Sequence, residues 1–280
     1  MKRFIILVFF LVIGLHGFSQ KVEVGLMGGG MFYVGDLTEK LYSPIHAAGG
    51  MFLRINANGR VALKGNVLLG NVSGTDVGAT DKSRKNRNLT FQSKISEFAA
   101  EVEVNLVNNY NEKNNRTFCV PYLFAGLNVF HFNPQTNFYD SLSGKTILYE
   151  LQPLGTEGQG LTKYPNLKRY NLNSFAFPLG GGLKFHFGDF FTFGLEFGMR
   201  KTLTDYMDDV SGFYAENDLI RAQYGPTAGK LADRSSEVGA SQNLKNTIRG
   251  NPSNQDWYGF GGVLLSYTFI KQPKIHCNTF

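Results

Sequence analysis

Three carboxylates fall within five positions of the chain, Asp205, Asp208 and Asp209, in the run Thr204-Asp205-Tyr206-Met207-Asp208-Asp209-Val210-Ser211-Gly212. Calcium takes several oxygen ligands, so this density of acids admits a cation site. The spacing is not that of an EF-hand loop, which sets acids on alternate residues and closes on a distal Glu. The other reading is a loop anchor, with the carboxylates capping turns or pairing with Arg200 or Lys201. Asp36, in Tyr33-Val34-Gly35-Asp36-Leu37, is a further acid in a comparable setting. Gly28-Gly29-Gly30 lacks the Lys-Ser or Lys-Thr and the helix that a phosphate loop requires. No spacing of Ser, His and Asp marks a nucleophile elbow, so neither a catalytic constellation nor a cofactor motif is expected. His186 reads as a hydrogen-bonding residue rather than a ligand. Cys119 and Cys277 are the two cysteines, either bonded to one another or two unpaired thiols.

The elements that must position these residues are strands. In Phe190–Thr204, Phe191, Phe193, Leu195, Phe197 and Met199 share one face, and Thr192, Gly194, Glu196, Gly198, Arg200, Thr202 and Thr204 the other. Successive side chains of a strand point to opposite faces. The sequence offers no helix or second sheet to cover the apolar face, which leaves lipid. A closed barrel crosses a membrane with every backbone polar group paired, apolar side out and polar side in.

Eight strands of this kind can be counted, near 22–33, 47–55, 61–71, 95–106, 118–132, 174–187, 190–204 and 257–269. In the third, Val61, Leu63, Gly65, Val67 and Leu69 point out, and Lys64 and Asn66 in. In the fourth, Phe98, Ala100, Val102, Val104 and Leu106 face lipid while Glu97, Glu101, Glu103 and Asn105 face the lumen. The fifth is apolar on both faces, so periodicity does not assign its inner side. The connections after strands two, four and six are short; those after one, three, five and seven are long. Short periplasmic turns and long external loops are the asymmetry of outer-membrane barrels. The fold expected is therefore all-β, a transmembrane antiparallel up-and-down barrel of about eight strands, with both termini periplasmic in a Gram-negative outer membrane.

Eight strands leave an interior just wide enough for side chains. The inward positions supply acids (Glu23, Glu97, Glu101, Glu103, Glu196) and bases (Arg54, Lys64, Lys184, Arg200). Unpaired buried charges are expensive, so a salt-bridged plug is expected, with a gated polar channel as the other reading. Trp257, Tyr258, Tyr267 and Phe269 fit an interfacial aromatic girdle. Lys82, Arg84, Lys85 and Arg87 read as a solvated loop, or as a contact to anionic headgroups or sugars. The segments 72–89, 133–171 and 205–256 read as loops.

Lys2 and Arg3, the apolar run Phe4–Leu15 and the small residues before Gln20 form an export signal over residues 1–19, leaving 20–280 as one barrel domain with a short C-terminal tail. Removing Lys2 and Arg3 lowers the formal charge from +6 to +4. That modest charge, on an exported chain, argues against nucleic acid as a partner.

Tyr33-Val34-Gly35-Asp36-Leu37, directly after the first glycine-rich strand, resembles the opening of the PorG-like outer-membrane barrels associated with type IX secretion. Arg200-Lys201-Thr202-Leu203-Thr204-Asp205-Tyr206-Met207-Asp208-Asp209-Val210-Ser211 is similar to that family's segment at the end of its penultimate strand, and Pro121–Leu127 looks like another of its strands. The resemblance implies a non-enzymatic component that links the outer membrane to a periplasmic ring of a lipoprotein and its partner protein. Tyr33, Gly35, Asp36, Arg200, Asp205, Tyr206, Asp208 and Asp209 are then architectural. Ring contacts would fall at the opposite end, on the turns near Asn56, Asn108 and Gly188-Asp189 and the tail around Lys271, Lys274 and Cys277. The alternative is a general small pore or a surface-ligand-binding barrel. A lipid-modifying enzyme would need a convergent Ser-His pair.

Overall fold

The computed structural model describes residues 21–38, 44–110, 116–140, 144–243 and 245–269. Its strands are β1 (Lys21–Val34), β2 (His46–Asn56), β3 (Val61–Thr75), β4 (Thr90–Asn105), β5 (Cys119–His131), β6 (Pro134–Asp140), β7 (Lys145–Glu150), β8 (Asn173–Phe187), β9 (Phe191–Thr202) and β10 (Trp257–Phe269). Eight of them close into a barrel in the order β3-β2-β1-β10-β9-β8-β5-β4, with β4 pairing back to β3. Every pairing is antiparallel, and β1 meets β10 from Val22↔Phe269 to Val34↔Trp257. No sheet edge is left within the ring, so each backbone N–H and C=O has a neighbour to pair with.

Alternation sets the two faces. On β4, Phe98, Val102 and Val104 are exposed, whereas Glu97, Glu101, Glu103 and Asn105 are buried. The outer wall carries Leu26, Met51, Leu53, Leu69, Leu123, Leu127, Phe175, Phe177, Leu179, Phe197, Val263 and Leu265, all exposed. A belt of this size has no place against water, and it matches the apolar band of a membrane barrel. β5, apolar on both faces, turns Val120, Tyr122, Phe124, Asn128 and Phe130 inward and Leu123, Leu127 and Val129 outward. Its inner side is thus largely aromatic.

All three segments read as loops from the sequence contain structure. β3 and β4 are 15 and 16 residues long, more than the roughly 9–11 that cross a bilayer. Their hairpin therefore runs past the membrane through Val72–Thr75 and Thr90–Ser93, where polar residues no longer mark a strand's end. Helix α1 (Lys82–Arg87) follows β3, capped by the Asp81 side chain, which accepts from Arg84 N at 3.0 Å. The β6–β7 hairpin rises from the rim of β4 through Gln92↔Gln135. The β9–β10 connection holds α2 (Asn217–Tyr224) and α3 (Pro226–Ala232). These pack a small core of Leu161, Ile220, Ala228 and Ala232. Together the long connections make a folded cap over one end of the barrel. The other end has turns such as Ala57–Arg60 and Gly188–Phe190, where Gly188 takes a φ of 63° that favours glycine.

Two assignments change. Tyr258 is buried in the lumen rather than part of a girdle, because it shares parity with Phe260 and not with Trp257. Arg87 is buried rather than solvated, drawn under the cap by Asp76. The export signal, the tail from 270 and Cys277 lie outside the described residues; Cys119 is half-buried at the start of β5.

Candidate functional site: a charged lumen beneath a folded cap

The strand register lays a row of charges across four neighbouring strands. Glu23 on β1 faces Arg54 on β2, Arg54 faces Lys64 on β3, and Lys64 faces Glu101 on β4. Two cations side by side would repel, and Glu103 resolves this. It lies 2.8 Å from Arg54 Nε and 3.6 Å from Lys64 Nζ. Arg54 also donates to Glu23 at 2.9 Å, and Lys64 lies 2.8 Å from Glu101. The far wall closes the network across the lumen. Lys184 on β8 donates to Glu103 at 2.5 Å and to Asn105 at 3.0 Å, and Lys64 donates to Glu196 on β9 at 2.6 Å. Glu196 has Gly182 as its cross-strand neighbour, where a Cβ would collide with the Leu195 carbonyl oxygen and the Tyr122 ring.

One member of the network has no place in any strand pattern. Arg116, in the turn between β4 and β5, folds into the barrel mouth and donates to Glu23 at 2.8 Å and to the Thr192 hydroxyl at 3.0 Å. Its addition makes five acids and five bases among the described lumen residues: Glu23, Glu97, Glu101, Glu103 and Glu196 against Arg54, Lys64, Arg116, Lys184 and Arg200. His186 contacts Thr192 Oγ1 at 2.9 Å and Arg116 at 3.3 Å.

Nearer the cap the lumen changes character. Arg200 lies 3.3 Å from Glu97, which also accepts from the Tyr258 hydroxyl at 2.8 Å, and Asn128 donates to Tyr258 at 3.0 Å. Leu68 and Phe130 flank Glu97 and Phe52 packs on Arg54, and from them an apolar core of Met31, Val72, Phe91, Ile95 and Phe132 continues upward to Leu37, Met207 and Val210 of the cap. The interior is thus closed twice, by ion pairs below and by packed apolar side chains above.

The segments that carry the family resemblance converge at this rim. Tyr33 at the end of β1 reaches Asp208 Oδ2 at 2.6 Å and Asp256 Oδ1 at 2.8 Å. Asp36 accepts from Asn251 N at 2.8 Å. Tyr206 stacks on Tyr170 with centroids 4.7 Å apart. The expected partners of the acidic run differ. Arg200 belongs to Glu97, and Asp209 instead meets Arg249 at 3.6 Å while accepting from Tyr170 at 2.7 Å and Thr156 at 2.5 Å. Arg249, 40 residues further on and outside any motif, also pairs with Glu157 at 3.0 Å. Asp205 is partly buried beside Ser211. No group of three or more acidic, His or Cys side chains is arranged to hold a metal among the described residues. Asp208 and Asp209 tie the loop to β1 and to the 156–170 segment through these bonds.

Burial pushes the Asp209 carboxyl up to about 6 despite Arg249, Thr156 and Tyr170. Burial, with Asp36 and Glu157 nearby, pushes Asp205 up to about 7, although Ser211 opposes the shift. Burial holds both Asp208 and Asp256 well above the carboxylate range, and neighbouring acids add to it.

One Ser–His contact occurs that the sequence did not disclose, His46 Nε2 to Ser73 Oγ at 2.8 Å. No described carboxylate hydrogen-bonds the other ring nitrogen, so the arrangement lacks the third group that orients a catalytic base. On the cap's outer surface, a cavity of about 410 Å³ lies between Phe138 and Tyr139 of the β6–β7 hairpin and Lys230, Arg234, Ser236 and Glu237.

No curated protein matches the sequence. Solved structures with some likeness include Ail, the attachment invasion locus protein of Yersinia pestis, at 8% identity over 90% of this chain and 100% of that one, with a TM-score of 0.40. Neisserial surface protein A shows 8% identity over 90% and 98%, with a TM-score of 0.39. The N-terminal β-barrel domain of Pseudomonas aeruginosa OprF shows 10% identity over 90% and 98%, with a TM-score of 0.33. The sequence matches the family described as a domain of unknown function, DUF6089, over residues 2–144, just over half of its 280 residues, and the chain belongs to that family.

Proposed function

We propose that this protein is a non-conducting barrel of the outer membrane that acts through what its two ends present, not through catalysis or transport. The long-loop cap would lie outside the cell and the short turns and termini in the periplasm, the orientation usual for such barrels. The observation that carries this reading is the filled interior. Five acids and five bases pair across the lumen, and an apolar core seals the level above. A water-filled pathway would need those pairs broken, each at a cost of several kcal/mol, about 3–5 for an uncompensated buried charge. The surface-binding form of this reading points to the cap and its cavity beside Tyr139.

A second reading is a scaffold of a type IX secretion system that holds a periplasmic ring lipoprotein and its partner at the membrane. It is supported by the resemblance of Tyr33–Leu37 and Arg200–Ser211, two segments that meet through Tyr33 and Asp208. Because they meet under the cap, they build the barrel, and ring contacts would lie on the opposite turns. A mild-detergent pull-down of the tagged protein from native membranes, with crosslinking and mass spectrometry, separates the readings. Reproducible recovery of the ring lipoprotein and its partner supports the scaffold. Recovery of the barrel alone removes the secretion role and leaves the surface-binding barrel.

A further inference from the structure

The Tyr33 hydroxyl sits between two buried carboxylates, 2.6 Å from Asp208 Oδ2 and 2.8 Å from Asp256 Oδ1. A phenol has one hydrogen to donate. If both carboxylates were ionised, one of these short contacts would set an anionic oxygen against a phenolic lone pair with no hydrogen between them. The remaining oxygens are already committed. Asp208 Oδ1 accepts from Val210 N at 2.9 Å, and Asp256 Oδ2 accepts from Met207 N at 2.9 Å. The hydrogen-bond count closes only if one carboxyl carries a proton and donates it to the Tyr33 oxygen while Tyr33 donates to the other.

We propose that Tyr33, Asp208 and Asp256 share one extra proton and form a pH-sensitive latch that holds the cap on the barrel. The three residues come from three chain segments: Tyr33 from the end of β1, Asp208 from the connection after β9, and Asp256 from the residue before β10. The Asp256 backbone ties the same strand ends, since its carbonyl accepts from the Thr202 hydroxyl at 2.7 Å and its N–H donates to Thr204 O at 3.2 Å. The latch residue Asp208 follows Met207 and lies two residues before Val210, both buried in the apolar seal.

The surroundings favour the proton. Asp36 from the segment after β1 faces Asp208, Asp205 from the segment after β9 faces Asp256, and Glu157 from the segment after β7 lies behind them, near Asp36 and Asp205. The cation that faces the pair is Arg87 of α1, with Arg84 beside Asp36, and both are engaged by Asp76. Arg249 lies further along the cap, bound to Glu157 and Asp209. Losing the proton leaves two buried anions side by side with acids around them, and the segment 203–211 is then driven outward, lifting Met207 and Val210 from the seal. The sign follows from the raised carboxyls: the latch is intact at acidic pH and weakens as pH rises above the ordinary Asp value.

Asparagine provides the test, because its amide mimics a protonated carboxyl: the oxygen keeps the backbone N–H and the nitrogen donates to Tyr33. The folded full-length protein in lipid vesicles is titrated from acidic to alkaline pH. The infrared C=O stretch of protonated carboxyls is recorded, together with the emission of Trp257, the sole tryptophan, beside Asp256. Wild type should lose a protonated-carboxyl band and shift its tryptophan emission over the same pH range. Asp208→Asn and Asp256→Asn should each lose the latch's share of that band at neutral pH, leaving the share of Asp205, and show no coincident emission shift. A wild-type spectrum without the band at neutral pH would overturn the proposal. So would a band and emission titration that persist unchanged in both variants.

Discussion

Glu103→Gln is the sharpest perturbation of the lumen. Glu103 is fully buried and faces three cations: Arg54 at 2.8 Å, Lys64 at 3.6 Å and Lys184 at 2.5 Å. After the substitution Arg54 retains Glu23, and Lys64 retains Glu101 and Glu196. Lys184 retains no carboxylate, only the Asn105 side-chain oxygen at 3.0 Å and the face of the Tyr122 ring at 4.3 Å. The lumen falls from five acids and five bases to four and five, and the orphaned charge is localised on Lys184. Breaking a buried pair in this way costs about 3–5 kcal/mol. Adding Lys184→Met removes the orphan and restores four against four. The double variant should therefore be more stable than Glu103→Gln alone, with a coupling of about 0.5–3 kcal/mol. Equilibrium urea unfolding from lipid vesicles, followed by Trp257 emission, measures both quantities. A loss below about 1 kcal/mol for Glu103→Gln, or strictly additive losses in the double variant, would refute the reasoning that the plug is a coupled ion-pair network.

Three other outcomes follow from the same geometry. Phe98→Arg places a charge mid-strand on the outer face of β4 and should cost about 2–4 kcal/mol in the same assay if that face meets lipid; a neutral result would remove the lipid belt. Arg116→Ala leaves Glu23 with Arg54 and should cost roughly 1–3 kcal/mol, the penalty of a buried group losing one charged partner, measured by the same unfolding. Tyr170→Phe removes a donor that stabilises the Asp209 carboxylate, so its midpoint should move above about 6, read by a carboxyl NMR titration. Because that carboxyl is raised, its contribution to cap stability is complete below the ordinary Asp value and is lost as pH rises through about 6, and Tyr170→Phe extends the window upward.

The barrel was legible because lipid leaves a strict signature. Where one face must be apolar and the other polar, as in Phe98-Ala99-Ala100-Glu101-Val102-Glu103, a period of two assigns each side chain. The same parity placed Arg54, Lys64, Lys184, Glu196 and Arg200 in the lumen. It failed where both faces are apolar, as in β5, whose inner residues pack on each other instead of facing charge. Tyr258 was misplaced because an aromatic near a strand end satisfies either a girdle or the interior, and only its parity with Phe260 decides. Arg87 was misread, and Arg116 and Arg249 were passed over, for a different reason. They sit in turns, a short helix and a loop, where no periodicity links a side chain to a face, and their partners lie far away in sequence. The approach of the Asp36 and Asp208 segments was foreseeable from closure of β1 on β10. The role of Tyr33 between two acids was not, because it depends on side-chain reach.

Single-channel recording in planar bilayers tests most directly whether the filled lumen keeps the barrel closed. Purified wild-type protein, inserted and verified as folded, should give no discrete openings across the voltage range. A steady conductance of the size expected for a water-filled pore, from wild type with its lumen pairs intact, would contradict the account.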